Sequence, residues 1–186
     1  SGFDYSFVVT LSDGKTYTAT AEEMFTVDVN FIFTNFDADV NDPNSYDFAC
    51  TDKYMKQIID YGTKPFFRLG SRIEHEVKKY GTLPPKDFKK WAVICEHIIR
   101  HYNEGWADGF HLNIQYWEIW NEPDLDSDES THKRCWGGTK AQFFDFFEIA
   151  AKHLKRYQYT GKHETHILIL SSIIDLDSLY RLLGKR

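Results

Sequence analysis

The carboxyl group best placed to move a proton in this 186-residue chain belongs to Glu122. It closes the string Tyr116-Trp117-Glu118-Ile119-Trp120-Asn121-Glu122-Pro123-Asp124, an aromatic and apolar run that stops at an acid and a proline. Pro123 cannot continue a strand ladder and is expected to hold Glu122 in extended geometry, fixing where the strand ends. An indole on one side and a pyrrolidine ring on the other are expected to shelter the carboxyl, so that it keeps a proton near neutral pH. Such an acid suits the cleavage of an acetal, in which an alkoxide leaves poorly unless it is protonated. Asn121 beside it offers a donor and an acceptor to a hydroxyl. Trp120 either shapes the pocket or packs beneath the strand. A bare Asn-Glu-Pro reads more readily as a turn with an exposed Glu, and only the longer string shifts the balance toward chemistry.

Other residues with chemical potential are more dispersed. Glu74 and His75 follow an expected strand through Gly70-Ser71-Arg72, so they are candidates for the same rim, with His75 the foremost for substrate binding. Asp37 and Asp39 follow an expected strand at 31–34 in the same way, and solvated loop charge is the more ordinary reading of both pairs. His97 and His101 stand four apart on an expected helix, and His132 and Cys135 share a polar loop, but neither pair completes a metal-binding pattern. Gly137-Gly138 matches no phosphate-cradling loop. No metal and no cofactor are expected.

The elements that must position Glu122 alternate. Residues 5–20 read as a hairpin around Ser12-Asp13-Gly14-Lys15. Strands are expected at 31–34, 64–70, 114–120 and 166–170. Between them, Thr51 caps a helix that Gly62 ends, and Phe88, Trp91, Ala92, Cys95, Ile98, Ile99 and Tyr102 form the stripe of a second. Thr139 and Gln142 have capping-box spacing ahead of a third helix, and Asp177 to Leu183 begin a fourth. Strand-helix alternation with near-continuous apolar strands argues a parallel sheet, either open and doubly wound or closed into a barrel. Sites in both lie at the carboxyl ends of the strands, where Asn121 and Glu122 fall.

Composition narrows the partners. The net charge is −6 with both signs interspersed, which disfavours nucleic acid and anionic membranes. No stretch approaches the ~20 apolar residues of a membrane span. Three cysteines at wide spacing imply no disulfide framework, and Cys95 on a helix stripe reads as core. Aromatic content is high, at 17 %, which suits stacking on a flat ligand but more simply a Phe-rich core. Nothing in the sequence fixes a compartment.

The nine-residue string at 116–124 resembles the fourth-strand signature of clan A glycoside hydrolases, in particular family 39, which holds β-xylosidases and α-L-iduronidases. Asp42 to Phe48, Lys64 to Gly70 and Trp136 to Thr139 are similar to neighbouring parts of that family, so the family-like region is 31–170. The resemblance implies an α/β fold, a partial (β/α)8 TIM-barrel of roughly strands two to five with an N-terminal β-hairpin. The domain reading is 1–186 as one incomplete barrel domain, with 1–30 an atypical segment. It also implies a carbohydrate substrate and a retaining double displacement, with Glu122 as general acid and then base and Asn121 on the hydroxyl at C2 of the sugar. A retaining enzyme needs a second carboxylate as nucleophile. In the family it lies on the seventh strand, whereas 64 residues follow Glu122 here, and neither Asp175 nor Asp177 matches its position. With Ser1-Gly2 at the start, this implies a fragment or truncated product whose open barrel edges invite self-association. The alternative is a catalytically inactive carbohydrate-binding fragment or pseudoenzyme.

Overall fold

A computed structural model describes residues 6–10, 16–20, 29–62 and 64–160, with side chains for 29–62 and 64–157. Near the N-terminus, β1 (Ser6–Thr10) and β2 (Thr16–Thr20) pair antiparallel, with Ser6 opposite Thr20 and Thr10 opposite Thr16. The expected hairpin is formed, and its Asp-Gly turn lies outside the described residues.

In place of the strand expected at 31–34 the chain completes a helical turn and bends away. α1 (Val29–Ile32) is a single turn. Val29, Ile32 and Phe33 are buried while Phe31 is exposed, which is the i, i+3, i+4 spacing of a helix face. A four-residue apolar run satisfies strand and helix patterns alike, so its neighbours decide. Here the Val29 N–H donates to the Gly70 carbonyl at 3.2 Å, anchoring the turn at its first residue. α2 (Ala49–Asp60) starts two residues before the expected cap. Asp47 accepts the Ala49 N–H through Oδ1 at 3.0 Å, and Thr51 lies inside the helix. Gly62 follows it in the left-handed region, at φ 74°.

The remaining elements follow the sequence pattern. β3 (Phe66–Leu69) and β4 (Tyr116–Ile119) run parallel, with Phe66 opposite Tyr116 and Leu69 opposite Ile119. α3 (Phe88–Glu104) crosses between them. Asp87 caps it by accepting the Lys89 and Lys90 N–H groups, and Gly105 ends it at φ 76°. α4 (Lys140–Thr160) follows β4. It opens on the predicted reciprocal pair, Gln142 N–H to Thr139 Oγ1 and Thr139 N–H to Gln142 Oε1. Among the described residues the parallel sheet has these two strands. The strand expected at 166–170 and the helix at 177–183 lie outside them.

Pleating sorts the two strands into faces. Phe67, Leu69, Trp117 and Ile119 are buried, and the Phe67 ring lies 4.8 Å from Trp117 and 5.3 Å from Tyr102 of α3. That is the helix-covered side. The other face carries Phe66 stacked on Tyr116 and, one step along, Arg68 beside Glu118. α3 and α4 pack on each other, with Trp91, Trp120, Trp136, Phe143 and Phe146 in mutual ring contact. Four of the five tryptophans are buried, so the aromatic richness serves mainly to fill this core. No described helix is long and apolar enough to cross a membrane.

Candidate active site

β4 stops abruptly because its last residues leave extended geometry. Trp120 has φ 66° and Glu122 φ 36°, two left-handed non-glycine residues within three positions. An indole-bearing residue costs about 1–2 kcal/mol there, so its surroundings must hold it. The Trp120 N–H donates to the Leu69 carbonyl at 2.6 Å, extending the ladder from β3. Its Nε1–H donates to the Cys135 carbonyl at 2.7 Å, and its ring meets Trp91, Trp136 and Phe146. Gly70 is required alongside, because a Cβ there would lie 2.6 Å from the Trp120 Cα.

The next two residues project from this clamp. Asn121 is 8 % exposed, and its amide Nδ2 donates to the Cys135 sulfur at 3.7 Å. Glu122 is exposed. The expectations of shelter and of extended backbone are therefore corrected. Trp120 turns its indole under the strand end rather than over the acid. Pro123 takes the second position of a turn closed by the Leu125 N–H on the Glu122 carbonyl at 3.1 Å, which its fixed φ suits, while Glu122 adopts the left-handed region.

The loop after Glu122 is built by its own charges. Arg134 grips Asp126 through Nε and Nη2, at 3.0 and 2.8 Å, and this grip, above all its hydrogen bond, holds the Asp126 carboxyl below its ordinary range. Burial, with the charge of Glu122 second, pushes the Cys135 thiol up to about 12, so it stays protonated. Beneath, Arg68 Nε donates to Glu118 Oε2 at 2.5 Å. Glu118 is buried, and burial pushes its carboxyl above the ordinary range. Arg68 pulls it back and the charge of Glu122 adds to the push. Sequence reasoning passed over Arg68 and Glu118. The available signal was one opposite charge in each of two otherwise apolar parallel strands.

His75 is exposed, and its neighbour Glu74 donates its backbone N–H to the Arg134 carbonyl at 2.8 Å, which ties that loop to the segment bearing Cys135. Glu74 itself turns inward. Burial would raise its carboxyl, but the Tyr80, Gly81 and Thr82 N–H groups and the Thr82 hydroxyl donate to it and hold it below its ordinary value. Asp37 and Asp39 are exposed in the loop before α2, where Asp39 accepts the Asn41 N–H at 2.9 Å. His97 Nδ1 meets the Val93 carbonyl, and His101 bridges the Trp106 carbonyl and Asp52, so both rings have structural partners. Among the described residues no group of three His, Cys, Asp or Glu is arranged to hold a metal ion.

The parallel strands and their covering helices define an α/β protein, and the carboxyl and carboxamide at the C-terminal end of β4 are its candidate site. Comparison with known proteins narrows that class. The family model for glycosyl hydrolases family 39 matches residues 26–162. A β-xylosidase from Geobacillus stearothermophilus is 23 % identical over 119 residues, 59 % of this chain and 22 % of that protein. An α-1,4-L-rhamnosidase from Formosa agariphila is 29 % identical over 98 residues, 52 % of this chain and 18 % of that one. The crystal structure of a glucosidase from Croceicoccus marinus superposes with a TM-score of 0.57 at 34 % identity, over 67 % of this chain and 24 % of that chain. This chain belongs to glycosyl hydrolases family 39. It spans about a quarter or less of the length of these relatives.

Proposed function

We propose that this chain carries the acid/base part of a retaining glycosidase site, on part of a (β/α)8 barrel to which β3 and β4 belong, with the β1–β2 hairpin as an appended segment. Glu122 protonates the glycosidic oxygen as the bond to the anomeric carbon breaks, then takes a proton from the water that attacks the glycosyl-enzyme. Asn121, its amide steadied by the Cys135 thiol, holds the sugar hydroxyl next to the reacting carbon. His75 contributes to the same rim. Trp120 acts through its clamp on the strand end rather than by touching sugar. The observation that carries this reading is the strained Trp-Asn-Glu turn at the end of a parallel strand, in a chain of this family. Exposure of Glu122 fits a site whose remaining walls come from other strands. The nucleophile is taken to lie outside the described residues, and the substrate to be a β-xyloside or a related glycoside.

The test is hydrolysis of nitrophenyl glycosides by the intact protein and by Glu122→Gln. Loss of a general acid typically costs 10²–10⁴-fold, and equal activity in both would remove Glu122 from the mechanism. A second reading, carbohydrate binding without turnover, is favoured by one observation. Glu118, the acid that feels the charge of Glu122, is buried and held by Arg68 and so is no free nucleophile. That reading expects xylose or glucose to quench tryptophan fluorescence with no hydrolysis of any glycoside.

A further inference from the structure

A carboxamide brings two N–H donors and an oxygen with two lone pairs, and burial obliges it to use them. Asn121 is 8 % exposed, yet among the described residues its side chain makes a single hydrogen bond, from Nδ2 to the Cys135 sulfur at 3.7 Å. The second amide proton and Oδ1 have no partner among the described residues. Groups that have lost water without a replacement are costly, so their place beside Glu122 points to a polar ligand.

The sulfur that holds the first proton is itself firmly placed. Cys135 is 1 % exposed, and its segment is strapped to both loops of the site. The Arg134 carbonyl accepts the Glu74 N–H at 2.8 Å, and the Gly137 N–H donates to the Thr82 carbonyl at 2.7 Å. The Cys135 carbonyl accepts the Trp120 Nε1–H at 2.7 Å. Cys135 thus grips Trp120 through its carbonyl and Asn121 through its sulfur, the two residues that precede Glu122.

We propose that Cys135 is a positioning residue that fixes the carboxamide plane of Asn121 and so sets the demand for a free hydroxyl beside the anomeric carbon of the sugar. This deepens the reading of Asn121 as the carboxamide that binds sugar, and rests on it. With one amide proton committed to the sulfur, the carboxamide cannot turn about its last bond. Its remaining N–H and Oδ1 then keep one orientation, and no rotational freedom is lost when the hydroxyl arrives. A sulfur acceptor is weak, so the contact supplies direction more than stability. Any acceptor of similar reach at position 135 serves the same end, and an alkyl group does not.

The experiment measures kcat/KM of the intact protein and its variants on a nitrophenyl glycoside and on the 2-deoxy counterpart of that glycoside. Each variant is compared with the intact protein on the same substrate, which cancels the intrinsic reactivity of the two sugars. Asn121→Ala loses about 10²-fold on the hydroxyl-bearing glycoside and about threefold or less on the 2-deoxy one. Cys135→Ala loses about tenfold on the first and about twofold or less on the second, and adds nothing to Asn121→Ala in the double variant. Cys135→Ser keeps an acceptor and recovers most of that loss. An equal loss on both glycosides in folded Cys135→Ala, no loss on either, or full additivity in the double variant would overturn the proposal. Should Cys135→Ala fail to fold, Cys135→Val fills the space without an acceptor and is held to the same outcomes. Failure of the underlying reading looks different. Asn121→Ala then loses equally on both glycosides, or the intact protein hydrolyses neither, and the proposal falls with it. A loss confined to the hydroxyl-bearing glycoside in Asn121→Ala, with Cys135→Ala unchanged, refutes the role of Cys135 alone.

Discussion

At the scale of single residues, the chain separates groups that present chemistry from groups that hold them there. Asn121 and Glu122 could be put forward as candidates from the sequence because both sit in one contiguous string, directly after β4. The inward turn of Glu74 was not legible, since it depends on a loop that brings Tyr80, Gly81 and Thr82 back onto its carboxylate. Trp120 was read two ways, and it is buried among Trp91, Trp136 and Phe146. We therefore expect Trp120→Ala to cost roughly 3–5 kcal/mol in thermal or denaturant unfolding. Glu74 gives a pH prediction with a definite sign. Because its folded carboxyl lies below the ordinary value of 4.5, its contribution is complete above that value and is lost as pH falls through the lowered one. Glu74→Gln should lower stability near pH 7 by about 1–3 kcal/mol and flatten the acid side of a plot of Tm against pH, as scanning calorimetry can check.

Secondary-structure elements were legible in proportion to their length. The 17-residue α3 and the 21-residue α4 repeat an apolar stripe over several turns and carry their own caps, Asp87 and the Thr139–Gln142 pair. The four-residue α1 has no room for a period to declare itself, and its contact with Gly70 cannot be read from local sequence. β3 and β4 lie inside the strands expected at 64–70 and 114–120 and stop one residue short of the expected C-terminal ends, and the reason those ends come so close is tertiary. A methyl group on Gly70 would strike the Trp120 backbone rather than a movable side chain. Gly70→Ala should therefore displace the strand end that bears Glu122, lowering kcat at least tenfold while unfolding shifts by only about 1–3 kcal/mol. Asp87→Ala, far from the acid, should cost about 1 kcal/mol and leave kcat/KM unchanged.

At the scale of the whole molecule, the two parallel strands among the described residues, covered by helices on one side, are an unfinished arrangement, because parallel sheets are buried on both faces. The sequence pattern predicted the alternation but could not count strands, since 31–34 holds the end of a helical turn and a bend, and 166–170 lies outside the described residues. We expect the 186-residue chain on its own to self-associate through the edges of β3 and β4 that carry no strand partner among the described residues. Sedimentation velocity would then show dimers or larger species, and a sharp monomer at high concentration would contradict this. The central claim is that Glu122 is the acid/base of a retaining reaction. Its most direct measurement is azide rescue of Glu122→Ala in the intact protein with a dinitrophenyl glycoside. The account predicts slow turnover without azide and a large acceleration with it, yielding a glycosyl azide of the same anomeric configuration as the substrate. Wild-type turnover of unactivated glycosides by Glu122→Ala, with no azide product, would contradict it.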